Sequence, residues 1–206
     1  MASDGPAPAM GGGSGAESAA GATGGRERPG GGAGSPHLIL TGLPGSGKSS
    51  VGAAVARALG RRFLDFDVEI ERRAGRSIAT IFETAGEGAF RALELELTRE
   101  LEQAEGMVLA PGGGWIVVPG ALELLRPPAV LVYLRASPEV VLERMGHSRS
   151  RRPLLNDPDP LSRLRALLHA REARYLLADH VVGVEHIELQ RVVLKVARLA
   201  TGFSDR

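Results

Sequence analysis

A glycine-rich loop at residues 42–49 constrains this chain more than any other feature of its sequence. The octapeptide GLPGSGKS matches the pattern G-x-x-x-x-G-K-[ST] in full, and it joins an apolar run to a segment of helical periodicity. Glycines in such a turn let backbone N–H groups converge on phosphate oxygens, and the following helix adds the positive end of its dipole. The loop therefore predicts a nucleoside-triphosphate site, with a glycine turn that binds no ligand as the alternative.

The polar residues of this loop have separate expected tasks. Lys48 would reach the β- and γ-phosphates, and the Ser49 hydroxyl would ligate Mg²⁺. We expect the nucleotide contacts to come from the end of the loop and the first helical turn, namely from Gly45, Ser46, Gly47, Lys48, Ser49 and Ser50.

From residue 37 onward, short apolar runs alternate with segments of helical periodicity. Strands are predicted at residues 37–41, 62–67, 107–110, 129–134 and 180–184. Helices are predicted at residues 48–59, 68–73, 78–82, 87–104, 161–177 and 188–199, and another begins after Ser137, which Pro138 follows at a first helical position. This alternation predicts a parallel sheet with helices on both faces, which is a three-layer α/β domain of about five strands.

The first 36 residues differ in composition from the rest of the chain. They contain no Val, Ile, Leu, Phe, Trp or Tyr, so they offer too little apolar surface to offset the entropy of ordering, and we predict a disordered tail. They also lack the charged start and apolar run of a signal peptide. A formal net charge of +1 argues against nucleic acid or a membrane as partner, and the absence of cysteine excludes thiolate metal sites and fits the cytoplasm.

A domain of this size with one phosphate loop is typical of a small-molecule or nucleotide kinase. Such kinases need an acceptor pocket, charge to hold the acceptor, and a lid that excludes water from the γ-phosphate. Asp65 and Asp67 end the second predicted strand, where alternation would place both carboxylates on one side. One could hold Mg²⁺ through water while the other accepts the proton of an acceptor hydroxyl, and a pair of solvated loop acids is the alternative.

Two arginines lie on apolar helical stripes, where a charge requires a partner. Arg171 follows Leu167 by four residues, and Arg91 follows Phe90 directly. Guanidinium groups bind carboxylates through two parallel hydrogen bonds, so the pair suits an anionic acceptor. An internal ion pair or a side chain extended toward solvent is the alternative for Arg171, and a helical salt bridge to Glu94 is the alternative for Arg91.

Together these motifs resemble shikimate kinase in order and spacing, over about residues 37–199. Besides the phosphate loop and the two aspartates, the matching segments are SIATIF at residues 77–82, GEGAFRALE at 86–94, GGG at 112–114, RPLL at 152–155, and Arg171 with Tyr175. The resemblance implies a P-loop fold of the nucleoside-monophosphate-kinase type over residues 37–200. Within it the substrate-binding region would span about residues 67–95 and a mobile lid about residues 147–160.

The resemblance also implies a reaction, which is transfer of the γ-phosphate of ATP to the 3-hydroxyl of shikimate, a step toward chorismate and the aromatic amino acids. The catalytic residues would be Lys48, Asp67 as the base, and Arg152 in the lid against the transferring phosphate. Arg144 would pack on adenine, and Asp65 would sit near the Mg²⁺ that Ser49 ligates. The partners would be ATP and shikimate, and we expect a monomer.

The acceptor would be held by residues from four segments of the chain. The two arginines would clamp the shikimate carboxylate, and the aspartate would contact the ring hydroxyls. By position in the family's pattern, these residues are Asp67, Arg91, Gly112, Gly113, Gly114 and Arg171.

Two positions beside the glycine triplet depart from the family's pattern. Pro111 precedes the triplet, and Trp115 follows it where the family usually has a small residue. We expect the Trp115 ring to lie within reach of the acceptor pocket, with a ring packed in the core as the alternative. Two other functions stay open. One is a gluconate-type kinase of the same fold, which has no need of Arg91 and Arg171 together, and the other is a nucleotide-binding module without phosphoryl transfer.

Overall fold

The computed structural model of the protein describes residues 35–146 and 158–202. Its strands are β1 (Leu38–Thr41), β2 (Phe63–Asp65), β3 (Val108–Ala110), β4 (Val130–Arg135) and β5 (His180–Gly183). Its helices are α1 (Lys48–Leu59), α2 (Phe66–Ala74), α3 (Ile78–Leu101), α4 (Ala121–Leu125), α5 (Pro138–Met145), α6 (Pro160–Tyr175) and α7 (Leu189–Ala200), with a turn of 3-10 helix at Trp115–Val117.

The five strands form one parallel sheet in the spatial order β2-β3-β1-β4-β5. Strand β1 lies at the centre, where Leu38 pairs with Val108 of β3 and with Val130 of β4. The apolar residues Leu38, Ile39 and Leu40 are fully buried, as expected for a strand covered by helices on both faces of the sheet. The predicted three-layer α/β architecture with about five strands is confirmed.

Helix α1 follows the phosphate loop and has the predicted bounds. Gly47 precedes it in the left-handed conformation with φ 100°, and Gly60 ends it with φ 64°, which are backbone angles that favour glycine. Gly52 lets the helix approach the sheet closely, because a β-carbon at this position would lie 2.5 Å from the Phe63 ring. The loop and the helix are therefore fixed tightly over the sheet.

Helix α3 contains the predicted break between a short and a long segment. At Gly86 the backbone leaves the helical region, with φ 78° and ψ 173°. The short segment begins at Ser77, whose Oγ accepts a hydrogen bond of 3.1 Å from the Thr80 N–H. The long segment ends at Leu101 rather than at residue 104, and it carries Arg91, one of the predicted acceptor-binding residues.

Two parts of the chain differ from the prediction in their helices. Helix α6 begins at Pro160, one residue before its predicted start and inside the predicted lid. The Asp159 carboxylate caps it there by accepting a hydrogen bond from the Ser162 N–H. The short helices after the glycine triplet, Trp115–Val117 and α4, were not predicted. A single turn has too few residues to display a hydrophobic period, so their absence from the prediction has a simple cause.

The described part of the chain begins inside the predicted tail. The carbonyl oxygens of Ser35 and Pro36 accept hydrogen bonds from the Gly106 N–H at 2.8 Å and from Arg61 Nη1 at 3.2 Å. The rest of the predicted tail and most of the predicted lid lie outside the described residues. Within residues 35–146 and 158–202, no helix combines the length and the apolar character that crossing a membrane would require.

Candidate active site

A cavity of about 330 Å³ lies between the phosphate loop and the carboxyl ends of β2 and β3. This is the sheet edge at which parallel α/β folds bind their ligands, and the volume suits a small-molecule site. Most of the predicted nucleotide, metal and acceptor residues meet in its wall. The lining consists of Gly45, Gly47, Lys48, Ser49, Ser50, Asp65, Asp67, Ala110, Pro111, Gly112, Gly113 and Arg144.

Lys48 supplies the positive charge of the phosphate loop. Its Nζ donates hydrogen bonds of 3.0 Å to the carbonyl oxygens of Gly42 and Leu43, and the residue is only 8% exposed. An ammonium group held in this way, next to a helix N-terminus, makes this end of the cavity suited to an anion. Ser46 was also predicted to bind nucleotide, but its side chain is buried and is not part of the cavity wall.

The two aspartates line the cavity from different elements. The prediction of one strand ending at residue 67 is wrong, because β2 ends at Asp65 and its carboxylate caps helix α2. That carboxylate accepts hydrogen bonds from the N–H groups of Asp67 at 3.0 Å and Val68 at 3.4 Å. Asp67 therefore lies in the first helical turn, and it still reaches the same cavity.

The oxygen donors in this wall fit a magnesium ion that is bound mainly by its nucleotide. Ser49, in the first turn of α1, and Asp65, at the end of β2, both line the cavity. Among the described residues, no group of three or more acidic or histidine side chains could hold a metal ion without other ligands. Mg²⁺ commonly takes one or two protein oxygens and completes its shell with phosphates and waters, so the two donors suffice.

Arg91 is held by two acids on its own helix. Its Nη1 donates to Glu94 Oε2 at 2.5 Å, and its Nη2 donates to Glu87 Oε1 at 2.7 Å. The salt bridge to Glu94, which was the structural alternative for Arg91, is therefore present. Glu94 is fully buried, and its second oxygen, Oε1, has no hydrogen-bond partner among the residues that the structure describes.

Burial changes the protonation of Glu94. Its pKa is raised to about 7 in total. Burial is the main cause and Asp67 adds to it, while Arg91 and Arg171 offset the increase only in part. Although burial acts to lower the pKa of Arg91, Glu94 and Glu87 raise it above its ordinary range. The two directions agree with the exposure of the pair, because the Arg91 side chain is 17% exposed and pairs with a second acid, whereas the Glu94 side chain is fully buried.

Arg171 approaches the same cluster from helix α6. It is 7% exposed, and its Nη1 has no hydrogen-bond partner within the described part of the chain. Its charge acts on Glu94 together with the charges of Arg91 and Asp67, so these four ionisable groups form one electrostatic cluster. A buried guanidinium N–H without a partner is costly, and an anion placed there would satisfy it.

Tyr175 lies one helical turn after Arg171 and contacts the glycine triplet directly. Its hydroxyl donates a hydrogen bond of 2.6 Å to the Gly113 carbonyl oxygen. Burial raises the pKa of Tyr175 to about 12, so the phenol stays a neutral donor. The resemblance to shikimate kinase includes Tyr175 but implies no role for it. In the structure, the Tyr175 hydroxyl links α6 to the triplet.

Close approach explains the glycine triplet. A β-carbon on Gly112 would lie 2.7 Å from Glu94 Oε1 and 3.3 Å from Asp67 Oδ1. One on Gly113 would lie 2.8 Å from the Pro44 Cδ of the phosphate loop, and one on Gly114 would overlap the Arg91 guanidinium. None of the three has a positive φ, so glycine is required here for lack of space and not for backbone conformation.

Of the two arginines that were predicted to bind ATP, Arg144 and Arg152, only the first lies among the described residues. Arg144 lines the cavity from the end of helix α5, and its Nη2 donates a hydrogen bond to the Val184 carbonyl oxygen. Its predicted contact with adenine stays a prediction. Arg152 lies outside the described residues, as does most of the predicted lid.

The expected position of Trp115 at the rim of the pocket is wrong. The residue is fully buried, and its Nε1 donates a hydrogen bond of 2.9 Å to Thr98 Oγ1 on helix α3. Its ring also packs edge-on against Phe66, with 6.4 Å between centroids. The alternative, a ring packed in the core, is the observed one, because the chain turns into a 3-10 helix directly after Gly114 and carries the ring inward.

Comparison with known proteins gives consistent results for sequence and structure. The family model for shikimate kinase matches residues 44–200. A shikimate kinase of Chlorobaculum tepidum is 41% identical over 169 residues, which cover 78% of this chain and 88% of that protein. A shikimate kinase of Paracidovorax citrulli is 48% identical over 148 residues, which cover 71% of this chain and 79% of that protein.

Solved structures extend the similarity to the fold. The shikimate kinase of Acinetobacter baumannii in complex with shikimate superposes with a TM-score of 0.78 at 35% identity, covering 83% of this chain and 96% of that one. A gluconokinase of Sinorhizobium meliloti superposes with a TM-score of 0.54 at 24% identity, covering 82% of this chain and 95% of that one. The second similarity concerns the fold alone.

Proposed function

The chain belongs to the shikimate kinase family, and we propose on that premise that it transfers the γ-phosphate of ATP to the 3-hydroxyl of shikimate. One observation carries the proposal for this chain's own residues: a single cavity joins the phosphate loop at Lys48 to Asp67 and to Gly112 and Gly113 of the glycine triplet. A phosphoryl donor and an acceptor hydroxyl can therefore meet without a change of fold.

At the donor end, the phosphate loop holds the nucleotide. Lys48 exchanges its hydrogen bonds to the loop carbonyls for contacts with the β- and γ-phosphates, and the amides at the start of α1 complete the cradle. Ser49 and Asp65 would hold Mg²⁺, which neutralises phosphate charge when bound. Gly45, Gly47 and Ser50 line the same wall, and Arg144 borders it from α5.

At the acceptor end, the guanidinium groups of Arg91 and Arg171 hold the shikimate carboxylate. Arg171 supports this assignment most clearly, because it is buried beside the cluster and its Nη1 finds no acceptor among the described residues. Arg91 is oriented by Glu87 and Glu94 and retains an exposed face. Gly114 leaves the Arg91 guanidinium accessible to the acceptor, since a β-carbon there would overlap it, and Gly112 likewise leaves space beside Glu94 and Asp67.

Asp67 is the group that accepts the proton. Its position in the first turn of α2 places it on the wall of the cavity that the phosphate loop also lines. As the 3-oxygen of shikimate attacks the γ-phosphorus, the hydroxyl proton passes to the Asp67 carboxylate and the bond to ADP breaks. Lys48 stabilises the charge that develops on the phosphoryl oxygens. Arg152 would add a second cation from the lid.

We also propose that the enzyme works as a monomer in the cytoplasm, with residues 37–200 as its kinase domain. The cysteine-free composition supports a reducing compartment.

A gluconate-type kinase is the second candidate, and it has less support. It needs Lys48, Ser49 and an acidic base, but no clamp for a carboxylate between Arg91 and Arg171. The gluconokinase structure matches this chain less well than the shikimate kinase structure, with a TM-score of 0.54 against 0.78. A module without phosphoryl transfer is disfavoured by the joint presence of Lys48 and Asp67 in one cavity.

An assay of ADP release with a panel of acceptors tests the proposal. With ATP and Mg²⁺, shikimate should increase ADP release far above the rate without acceptor, and gluconate should not. Turnover with gluconate alone would establish the second candidate. A rate that no acceptor raises above the blank would overturn phosphoryl transfer altogether.

A further inference from the structure

A buried hydrogen-bond chain connects the end of the glycine triplet to helix α3. Trp115 Nε1 donates to Thr98 Oγ1 at 2.9 Å, and Thr98 Oγ1 donates to the Glu94 carbonyl oxygen at 2.6 Å. Both side chains are fully buried. A hydroxyl has one hydrogen, so the bond to Glu94 fixes its direction and leaves the oxygen as acceptor for the indole. Both donors, the indole N–H of Trp115 and the hydroxyl of Thr98, are therefore satisfied.

Trp115 also contacts two segments beside the acceptor site. Its ring packs edge-on against Phe66, the residue between the two cavity aspartates, with an interplanar angle of 76°. Its backbone N–H donates to the Gly112 carbonyl oxygen at 3.0 Å and closes the turn that contains the triplet. The 3-10 helix that begins with Trp115 also packs against α6, which carries Arg171.

Trp115 thus contacts three of the four segments that supply the acceptor-binding residues, α2 and α3 through its side chain and the triplet through its backbone, and its 3-10 helix packs against the fourth. Little space remains between them, because a β-carbon on Gly112 would already lie 2.7 Å from Glu94 Oε1, and one on Gly114 would overlap Arg91. A small displacement of α3 relative to the triplet would therefore move the Arg91 guanidinium with respect to the cavity. Such precision is needed for a two-armed contact with a carboxylate.

We propose that Trp115 is a positioning residue for the acceptor pocket, which it acts on through Thr98 and Phe66. The inference rests on the proposed function, since shikimate is the acceptor whose binding it concerns. Trp115 touches none of the reacting groups. Its role is to hold the triplet, α3 and the start of α2 in one register, and the ATP end of the cavity does not depend on it.

Two matched variants test the hydrogen bond without emptying the core. Trp115→Phe keeps an aromatic ring against Phe66 and removes the indole N–H, and Thr98→Val keeps the volume and removes the hydroxyl. Each should raise the KM for shikimate about 5- to 20-fold while the KM for ATP changes less than about twofold. In the double variant, the increase should equal that of the larger single change, because both substitutions remove one interaction.

A core variant distant from the acceptor elements provides the control. Val196→Ala truncates a fully buried side chain on helix α7, and it should lower the melting temperature without changing either KM. If Trp115→Phe and Thr98→Val behave like Val196→Ala, with the shikimate KM within twofold of wild type, the positioning role is overturned. A wild-type enzyme that does not turn over shikimate at all would instead overturn the proposed function, and this inference with it.

A measurement on the unaltered protein covers the case in which the variants fail to fold. The chain has one tryptophan, so its indole N–H gives a single cross-peak in a nitrogen–proton correlation spectrum. Shikimate should shift this peak with a midpoint equal to the Kd from calorimetry. A peak that does not move while calorimetry records binding would overturn the proposal.

Discussion

Replacing Glu94 with glutamine should change how the stability of the protein depends on pH. Glu94 is fully buried, and its pKa is raised from its ordinary value of 4.5 to about 7. An acid whose pKa is higher in the folded than in the unfolded state stabilises the fold at low pH. That contribution is fully present below about pH 4.5 and is lost as the pH rises through about 7. Glutamine cannot ionise, so the Glu94→Gln variant loses no such stability as the pH rises.

The size of the effect follows from the two pKa values. One pKa unit corresponds to about 1.4 kcal/mol, so the wild type should lose about 2.5 kcal/mol of unfolding free energy relative to Glu94→Gln between pH 5 and pH 8. The absolute stability of either protein also reflects every other titrating group. Those contributions cancel in the difference between the two proteins, which is the quantity to follow.

Urea unfolding at several pH values measures this difference. The fluorescence of buried Trp115 reports unfolding in both proteins. Glu69→Gln is the matched control. Hydrogen bonds from Arg72 and Arg73 lower the pKa of Glu69 to about 2, so its contribution is lost only as the pH falls below about 4.5, and its difference from wild type should stay constant from pH 5 to pH 8.

A difference between the wild type and Glu94→Gln that stays constant over this range would contradict the reasoning. It would mean that Arg91 compensates the burial of the carboxylate in full. The pairing of Arg91 with Glu94 would then be a closed ion pair, and the cluster would offer less free positive charge to an acceptor.

Three further predictions concern catalysis, binding and the tail. Lys48→Met should abolish turnover, and Asp67→Asn should lower kcat by about 10²-fold, so kinetics within threefold of wild type for Asp67→Asn would refute the base assignment. Arg171→Ala and Arg91→Ala should each weaken shikimate binding in calorimetry by about 1.5–3 kcal/mol and leave ATP binding unchanged. For an acceptor that lacks the carboxylate, neither substitution should weaken binding. If that acceptor loses as much binding free energy as shikimate does, the arginines serve folding and not carboxylate binding. Deleting residues 2–33, which spares the bonded Ser35, should leave the melting temperature and turnover unchanged, and a drop of several degrees would show that the segment packs on the domain.

Local signals made much of this structure predictable. The phosphate loop and helix α1 depend on residues adjacent in sequence, so the bounds of α1 were predicted without error. The break at Gly86 and the helix start at Ser137 were likewise set by single residues with strong local preferences. The sheet followed from the alternation of strands and helices, which leaves few possible topologies.

The remaining features depend on contacts between distant segments. From local sequence, the strand could continue through Asp65 to residue 67 or stop at Asp65, and the hydrogen bonds that the Asp65 carboxylate accepts from Asp67 and Val68 show that a helix begins directly after it. Glu94 was treated as a salt-bridge partner, although its place in the stripe of Phe90 and Leu97 could have revealed a buried acid. The inward turn of Trp115 depends on Thr98, which is 17 residues away, and no local pattern encodes that pairing.

Identification of the reaction product tests the central claim most directly. Wild-type enzyme should convert shikimate and ATP into ADP and one phosphorylated product, whose phosphorus resonance couples to the proton on carbon 3 of the ring. This result is expected if Asp67 and the arginine pair present the 3-hydroxyl to the γ-phosphate across the cavity. Coupling to another ring proton, or release of inorganic phosphate with shikimate unchanged, would contradict the account.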